Sequence, residues 1–81
     1  MRIDKFLNAV NITKRRAVAE DMLAHKVVLI NGLSVKKAKE VKIGDTIEIK
    51  YLEKSDIFKV LQIPQTKSTP KSKMSEYVTQ I

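Results

Sequence analysis

No cysteine occurs in this 81-residue chain, which removes disulfides, thiolate nucleophiles and cysteine-based zinc sites together. The single histidine, His25, cannot supply a multi-histidine metal site. Tryptophan is absent, and the aromatics are limited to Phe6, Tyr51, Phe58 and Tyr77. Without a clustered aromatic strand, stacking of single-stranded bases is not the obvious mode of nucleic-acid contact. No apolar run approaches the roughly 18 residues that a membrane-spanning helix needs. The opening MRIDKF holds no signal-peptide core, so a cytoplasmic location and no membrane partner are expected. The length suits one compact domain. A domain of this size buries only about 60–65% of the surface its unfolded chain exposes, which leaves little room for a deep catalytic cleft.

What the chain has in excess is positive charge. Sixteen Lys and Arg against nine Asp and Glu give a formal net charge of +7. Such an excess on a small body favours a polyanionic partner, nucleic acid ahead of an anionic membrane. The bland alternative is a surface charged for solubility, so the position of the cations has to decide.

Hydrophobic spacing gives the element order. Ile3, Phe6, Leu7 and Val10 fall at i, i+3, i+4 and i+7, one apolar helical stripe. Asn11 interrupts it, and Thr13 is positioned as the N-cap of a second helix carrying Val18, Ala19, Met22 and Leu23. Together these predict a helix-turn-helix unit over residues 2–25. The period then changes. Val27-Val28-Leu29-Ile30 runs into Asn31-Gly32, a strong hairpin signal, with a return strand around Leu33–Val35. Lys36 to Lys42 forms a basic connection closed by a Gly44-Asp45 turn. Thr46 to Tyr51 alternates, Ile47, Ile49 and Tyr51 against Thr46, Glu48 and Lys50. Glu53–Asp56 reads as a turn and Ile57–Ile63 as a further strand.

From Pro64 to Lys73 the composition shifts to Pro, Ser, Thr, Gln and Lys, that of a mobile linker. Met74–Ile81 could add a short helix only by docking on another surface. The expected organisation is one folded domain over residues 1–63 and a basic tail over 64–81. The expected fold class is α+β, a two-helix unit packed on a small antiparallel β-sheet with a flexible C-terminal tail.

The cations cluster twice. Arg2, Lys5, Lys14, Arg15 and Arg16 belong to the helical part. Three consecutive cations at a helix start oppose its dipole, where a stability-optimised helix would carry Asp or Glu. Together with the free N-terminal amides they would make an anion-attracting corner; the plain alternative is a solvated helix end. Arg15 is awkward, because its phase falls within the apolar arc. Asp4 suits the dipole as a simple first-turn acid and could equally orient Arg2 or Arg16 by a charge-assisted hydrogen bond. The second group is Lys36, Lys37, Lys39 and Lys42, either a solvated loop or, if it faces the way Arg16 does, part of one phosphate-binding surface. Asn31 and Gly32 serve the turn first, since both tolerate positive φ, and contact of the Asn31 side chain with RNA comes second. His25, near the second helix's C-terminus, reads as a dipole-compatible cap. No nucleophile–base pair and no cofactor loop is visible, so neither catalysis nor a cofactor or metal is expected.

Taken in order, MRIDKFL, KRRAVAEDML, a strand ending in ING, and VKIGDTIEI resemble the S-four RNA-binding domain, or alpha-L motif, named after small-subunit ribosomal protein four. The match runs over residues 1–51. The stand-alone size resembles the RqcP-type proteins of bacterial ribosome quality control and the small ribosome-associated heat-shock S-four proteins. The resemblance implies binding to rRNA and tRNA on the large ribosomal subunit bearing peptidyl-tRNA, in rescue of stalled ribosomes, alongside an RqcH-type partner. It implies that Arg2, Asp4, Lys5, Lys14, Arg15 and Arg16 carry the RNA-facing helical surface, with Asn31 at the hairpin turn. A monomer is expected. The family pattern has glycine before the first strand, where this chain has Lys26, so the helix end must accept a left-handed lysine or close differently. Two other classes stay open: a general RNA- or DNA-binding regulatory module, and a fragment of an RNA-modifying enzyme.

Overall fold

Two short helices open the chain, each ended by a residue of unusual backbone conformation. The structure, a computed structural model, describes residues 1–66 and 68–81. Helix α1, Ile3–Ala9, buries Ile3, Phe6 and Leu7 completely, and Val10, its C-cap residue, is buried with them. It ends where Asn11 takes φ of 68°, a left-handed conformation that asparagine tolerates better than most residues.

Helix α2 spans Arg16–Ala24 and starts later than a Thr13 cap would place it. Thr13 is buried in the connection instead: its amide donates to the Leu7 carbonyl at 3.0 Å and its hydroxyl to the Arg15 carbonyl at 3.2 Å. Arg15 is the N-cap residue, extended at φ −135° and ψ 144°, with no side-chain cap. Lys14 and Arg15 therefore precede the helix, and only Arg16 stands in its first turn. The difficulty over Arg15's phase disappears with this later start. Ala19 and Leu23 face inward, Met22 is half-buried, and Val18 stays on the surface.

The far end of α2 closes on Lys26. The Lys26 amide donates to the Leu23 carbonyl at 3.1 Å and the Val27 amide to the Met22 carbonyl at 3.3 Å. These are the paired main-chain bonds of a left-handed helix C-cap, and Lys26 sits at φ 60° to make them. Lysine takes the position usually held by glycine, at a cost of about 1–2 kcal/mol.

Five strands follow: β1 Val28–Ile30, β2 Leu33–Ser34, β3 Thr46–Lys50, β4 Ser55–Val60 and β5 Val78–Gln80. Their order is β2-β1-β3-β4-β5, with every neighbouring pair antiparallel. Asn31 and Gly32 make the β1–β2 turn at φ 52° and 83°, as that tight turn requires. In β3 the alternation holds: Ile47 and Ile49 are fully buried, Thr46 and Glu48 half-buried, and Lys50 exposed. Tyr51 lies past the strand end and is exposed. The last expected strand is shifted, since β4 begins at Ser55 and ends at Val60. Ser55 and Asp56, expected in a turn, pair with Lys50 and Ile49.

One core joins the layers. Ile3, Phe6, Leu7 and Val10 meet Ala19 and Leu23 of α2 and the inward residues Val28, Ile30, Ile47, Ile49, Phe58, Val60 and Val78 of the sheet. Each Val, Leu, Ile or Phe side chain so buried contributes about 1.5–3 kcal/mol. This is the α+β arrangement of two helices on an antiparallel sheet.

The C-terminal segment differs from the expected mobile tail with a terminal helix. The Thr69 amide and hydroxyl both donate to the Ala9 carbonyl, at 3.0 and 2.8 Å, and the Asn11 side chain donates to the Thr69 carbonyl at 2.9 Å. The free carbonyl at the end of α1 thus receives donors from a distant residue, which fastens the segment to the domain. A 3-10 turn, Lys71–Glu76, then delivers β5 to the open edge of β4. A short isolated helix would have had few internal bonds; as a strand, the same residues find a ladder and bury Val78 opposite Val60. Lys67, part of the expected linker, lies outside the described residues.

Candidate nucleic-acid interface

The loop carrying the second lysine group runs antiparallel to the first residues of the chain. The Ile3 amide donates to the Lys39 carbonyl at 2.7 Å, the Val41 amide to the Met1 carbonyl at 2.9 Å, and the Asp4 amide to the Lys37 carbonyl at 3.4 Å. Arg2 pairs across from Glu40. The two basic groups, distant in sequence, are therefore neighbours, joined by main chain.

Asp4 anchors the helical group. It is fully buried, and its Oδ2 accepts from Arg2 at 2.9 Å and from Arg16 at 3.1 Å, while its Oδ1 accepts from the Lys5 amide at 2.8 Å. Burial by itself would raise the carboxyl's pKa. The hydrogen bonds from Arg16 and the Lys5 amide, with the charges of Arg2 and Arg16, outweigh that and hold it below its ordinary value. Asp4 thus stays ionised and orients both guanidiniums, the second of the two roles the sequence allowed.

Arg16 also meets Glu20, one turn along α2, at 3.3 Å. The charges of Arg2 and Arg16 are thereby matched by Asp4 and Glu20, so this pair offers directed donors rather than excess charge. The Nε of Arg2 is buried and has no acceptor among the described residues. The uncompensated charge lies around the pair: Lys5, Lys14 and Arg15 are exposed and form no ion pair among the described residues. Arg2, Lys5, Asn8 and Arg16 line an open groove with Glu40, Gln65 and Thr66. Gln65 and Thr66 have no signal as site residues in the sequence, because the linker composition around them points to a mobile chain.

The remaining candidates fall in two further depressions. Asn31, Lys36 and Lys39 share one with Leu33 and Asp45. Lys36 and Lys37 share the other with Lys26 and Glu20. The Asn31 carboxamide is already engaged: it donates to Asp45 at 3.2 Å and accepts from the Thr46 amide at 3.0 Å, tying the hairpin to β3. The structure does not bring Asn31 into the arginine groove. His25 is the C-cap residue of α2, with Nδ1 2.8 Å from the Asp21 carbonyl.

Residues 1–47 match the S4 domain family. The chain belongs to that family. A Helicobacter pylori protein called RQC P-site tRNA stabilizing factor is 45% identical over 78 residues, 96% of this chain and 93% of that protein. A solution structure of a hypothetical protein superposes with a TM-score of 0.87 at 43% identity, covering 100% of this chain and 96% of the other. Vibrio cholerae Heat Shock Protein 15 superposes with a TM-score of 0.89, covering 100% of this chain and 81% of that one; at 23% identity it bears on fold alone. Both superpositions span the whole chain, so the likeness takes in β4, β5 and the segment between them as well as the S4 domain. Among the described residues no helix is long and apolar enough to cross a membrane.

Proposed function

We propose that this S4 domain protein binds structured RNA, large-subunit rRNA together with tRNA, and steadies peptidyl-tRNA on the large ribosomal subunit during rescue of stalled ribosomes. The observation that carries the reading is the buried Asp4 carboxylate holding Arg2 and Arg16 at 2.9 and 3.1 Å beside an open groove. Guanidiniums so fixed present N–H forks that suit phosphate oxygens. Lys5, Lys14 and Arg15 from the helical part, and Lys36, Lys37 and Lys39 from the loop bonded to it, supply further positive charge. Asn31 contributes by shaping the hairpin that carries the lysine loop. The name of the Helicobacter pylori relative supports the choice of tRNA and of ribosome quality control.

The protein acts by binding rather than by chemistry. Its strongest polar constellation joins arginines, which do not deprotonate, to a carboxylate held ionised. It works in the cytoplasm as a monomer, alongside an RqcH-type partner that extends the stalled chain. Sedimentation with purified large and small subunits at graded salt tests the reading. Binding should favour large subunits carrying peptidyl-tRNA, and each phosphate contact should add about 0.7–0.9 to the slope of log affinity against log salt. Equal affinity for both subunits, or preference for duplex DNA in competition, would overturn it.

A further inference from the structure

Lys26 holds a left-handed backbone position with a long side chain that the fold itself does not use. At φ 60° it occupies the left-handed position that closes α2, where glycine or asparagine fits with less strain. It makes no side-chain hydrogen bond and no ion pair among the described residues. A cation near the negative end of α2 suits the helix dipole. That benefit, however, would be had without strain one residue earlier, where His25 sits at φ −84° and ψ 4°. Backbone strain kept without structural return points to a side chain that acts outward.

Its surroundings say on what. Lys26 lines a depression with Lys36, Lys37 and Ser34, between the end of α2 and the loop after β2. The acid in that depression, Glu20, is already joined to Arg16 at 3.3 Å, and neither Lys36 nor Lys37 has an ion pair among the described residues. Three lysines from two parts of the chain line that depression, with Ser34 among them. The arginine groove lies at the other end of α2 and is lined by different residues.

We propose that Lys26, Lys36 and Lys37 form a second phosphate-binding surface at the C-terminal end of α2, so that the domain grips RNA backbone at both ends of that helix. This rests on the RNA-binding reading above and extends it to a residue outside the arginine corner. The ligand chemistry is the phosphodiester of structured RNA; base identity plays no part, since lysines on phosphate do not read sequence.

The test uses the full chain, with Lys26→Gly, Lys26→Asn and Lys26→Arg, binding an rRNA transcript and a tRNA at graded salt, with thermal melting in parallel. Lys26→Gly should melt a few degrees higher, because strain is relieved, while binding several-fold more weakly with a salt slope lower by about 0.7–0.9. Lys26→Asn should lose affinity equally, and Lys26→Arg should keep it. A Lys26→Gly protein that binds as tightly as wild type overturns the proposal, as does loss of affinity in Lys26→Arg equal to that in Lys26→Gly. A wild-type chain that binds neither RNA removes the RNA-binding reading and this surface with it, an outcome visible before any variant is made.

Discussion

Arg2 and Arg16 donate to one buried carboxylate and are matched by acids, Asp4 and Glu20. Lys36, Lys37 and Lys39 are exposed, with no ion pair among the described residues, although main-chain bonds hold their loop against α1. The same sign of charge is thus presented in two ways. The arginine corner loses little freedom when it meets an anion, because its donors are already aimed. The lysines keep their full charge and their mobility, which suits long-range attraction and tolerance of backbone shape. One region is built to position, the other to attract.

The largest expected effect comes from removing the anchor. Asp4→Ala should destabilise the fold by about 2 kcal/mol, less than breaking a fully buried pair because both guanidiniums reach solvent. RNA affinity should fall with it. Urea denaturation reads the first effect, and an unchanged midpoint would show that Asp4 anchors nothing. The two regions can next be set against each other directly. Arg16→Ala should weaken RNA binding about tenfold and Lys37→Ala about two- to threefold in titrations at one salt concentration. Equal losses would erase the distinction between them.

Thr69→Val keeps the shape of a residue outside both regions and removes its hydroxyl bond to Ala9. A loss of about 1 kcal/mol in stability with RNA affinity unchanged is expected. A marked fall in affinity would instead make the fastened segment, with Gln65 and Thr66 in the arginine groove, part of the positioning region.

Acid gives the smallest and most selective effect. Because the folded state lowers the Asp4 pKa, this group's stabilisation is fully present above its ordinary value of 3.8 and is lost as pH falls through the lower folded value. Wild type and Asp4→Asn should therefore differ in stability at neutral pH and begin to converge only as pH falls below about 4 toward the lower folded value. A difference that persists in acid would assign the effect to packing rather than to the charge.

Much of this fold is legible in local sequence. The stripe Ile3, Phe6, Leu7 and Val10, the Asn31-Gly32 turn and the Ile47–Ile49 alternation each encode their element within a few residues, and each is found buried or turned as its spacing requires. The departures arise where a distant partner decides. Thr13 bonds to Leu7 and Arg15 rather than capping a helix, and Thr69 reaches Ala9 across most of the chain. Val78–Gln80 becomes a strand because β4 offers an open edge. The same holds for the candidate site. Each cation is visible in the sequence, but the burial of Asp4 between Arg2 and Arg16 depends on how the two helices pack, which no spacing rule contains. Glu20, at i+4 from Arg16, is a locally readable partner that becomes informative only once Arg16 is known to face Asp4.

The pairing of the first residues with the loop of Lys37 and Lys39 has a consequence for how such a surface can change. Its register is written in amide and carbonyl groups, Ile3 to Lys39 and Val41 to Met1, which every residue but proline supplies alike. Side chains along the loop can therefore be exchanged, cation for neutral or one cation for another, without moving the positions from which they project. The frame stays constant while the charge pattern drawn on it is free to drift, so related chains could be retuned to different RNA contours one exposed residue at a time.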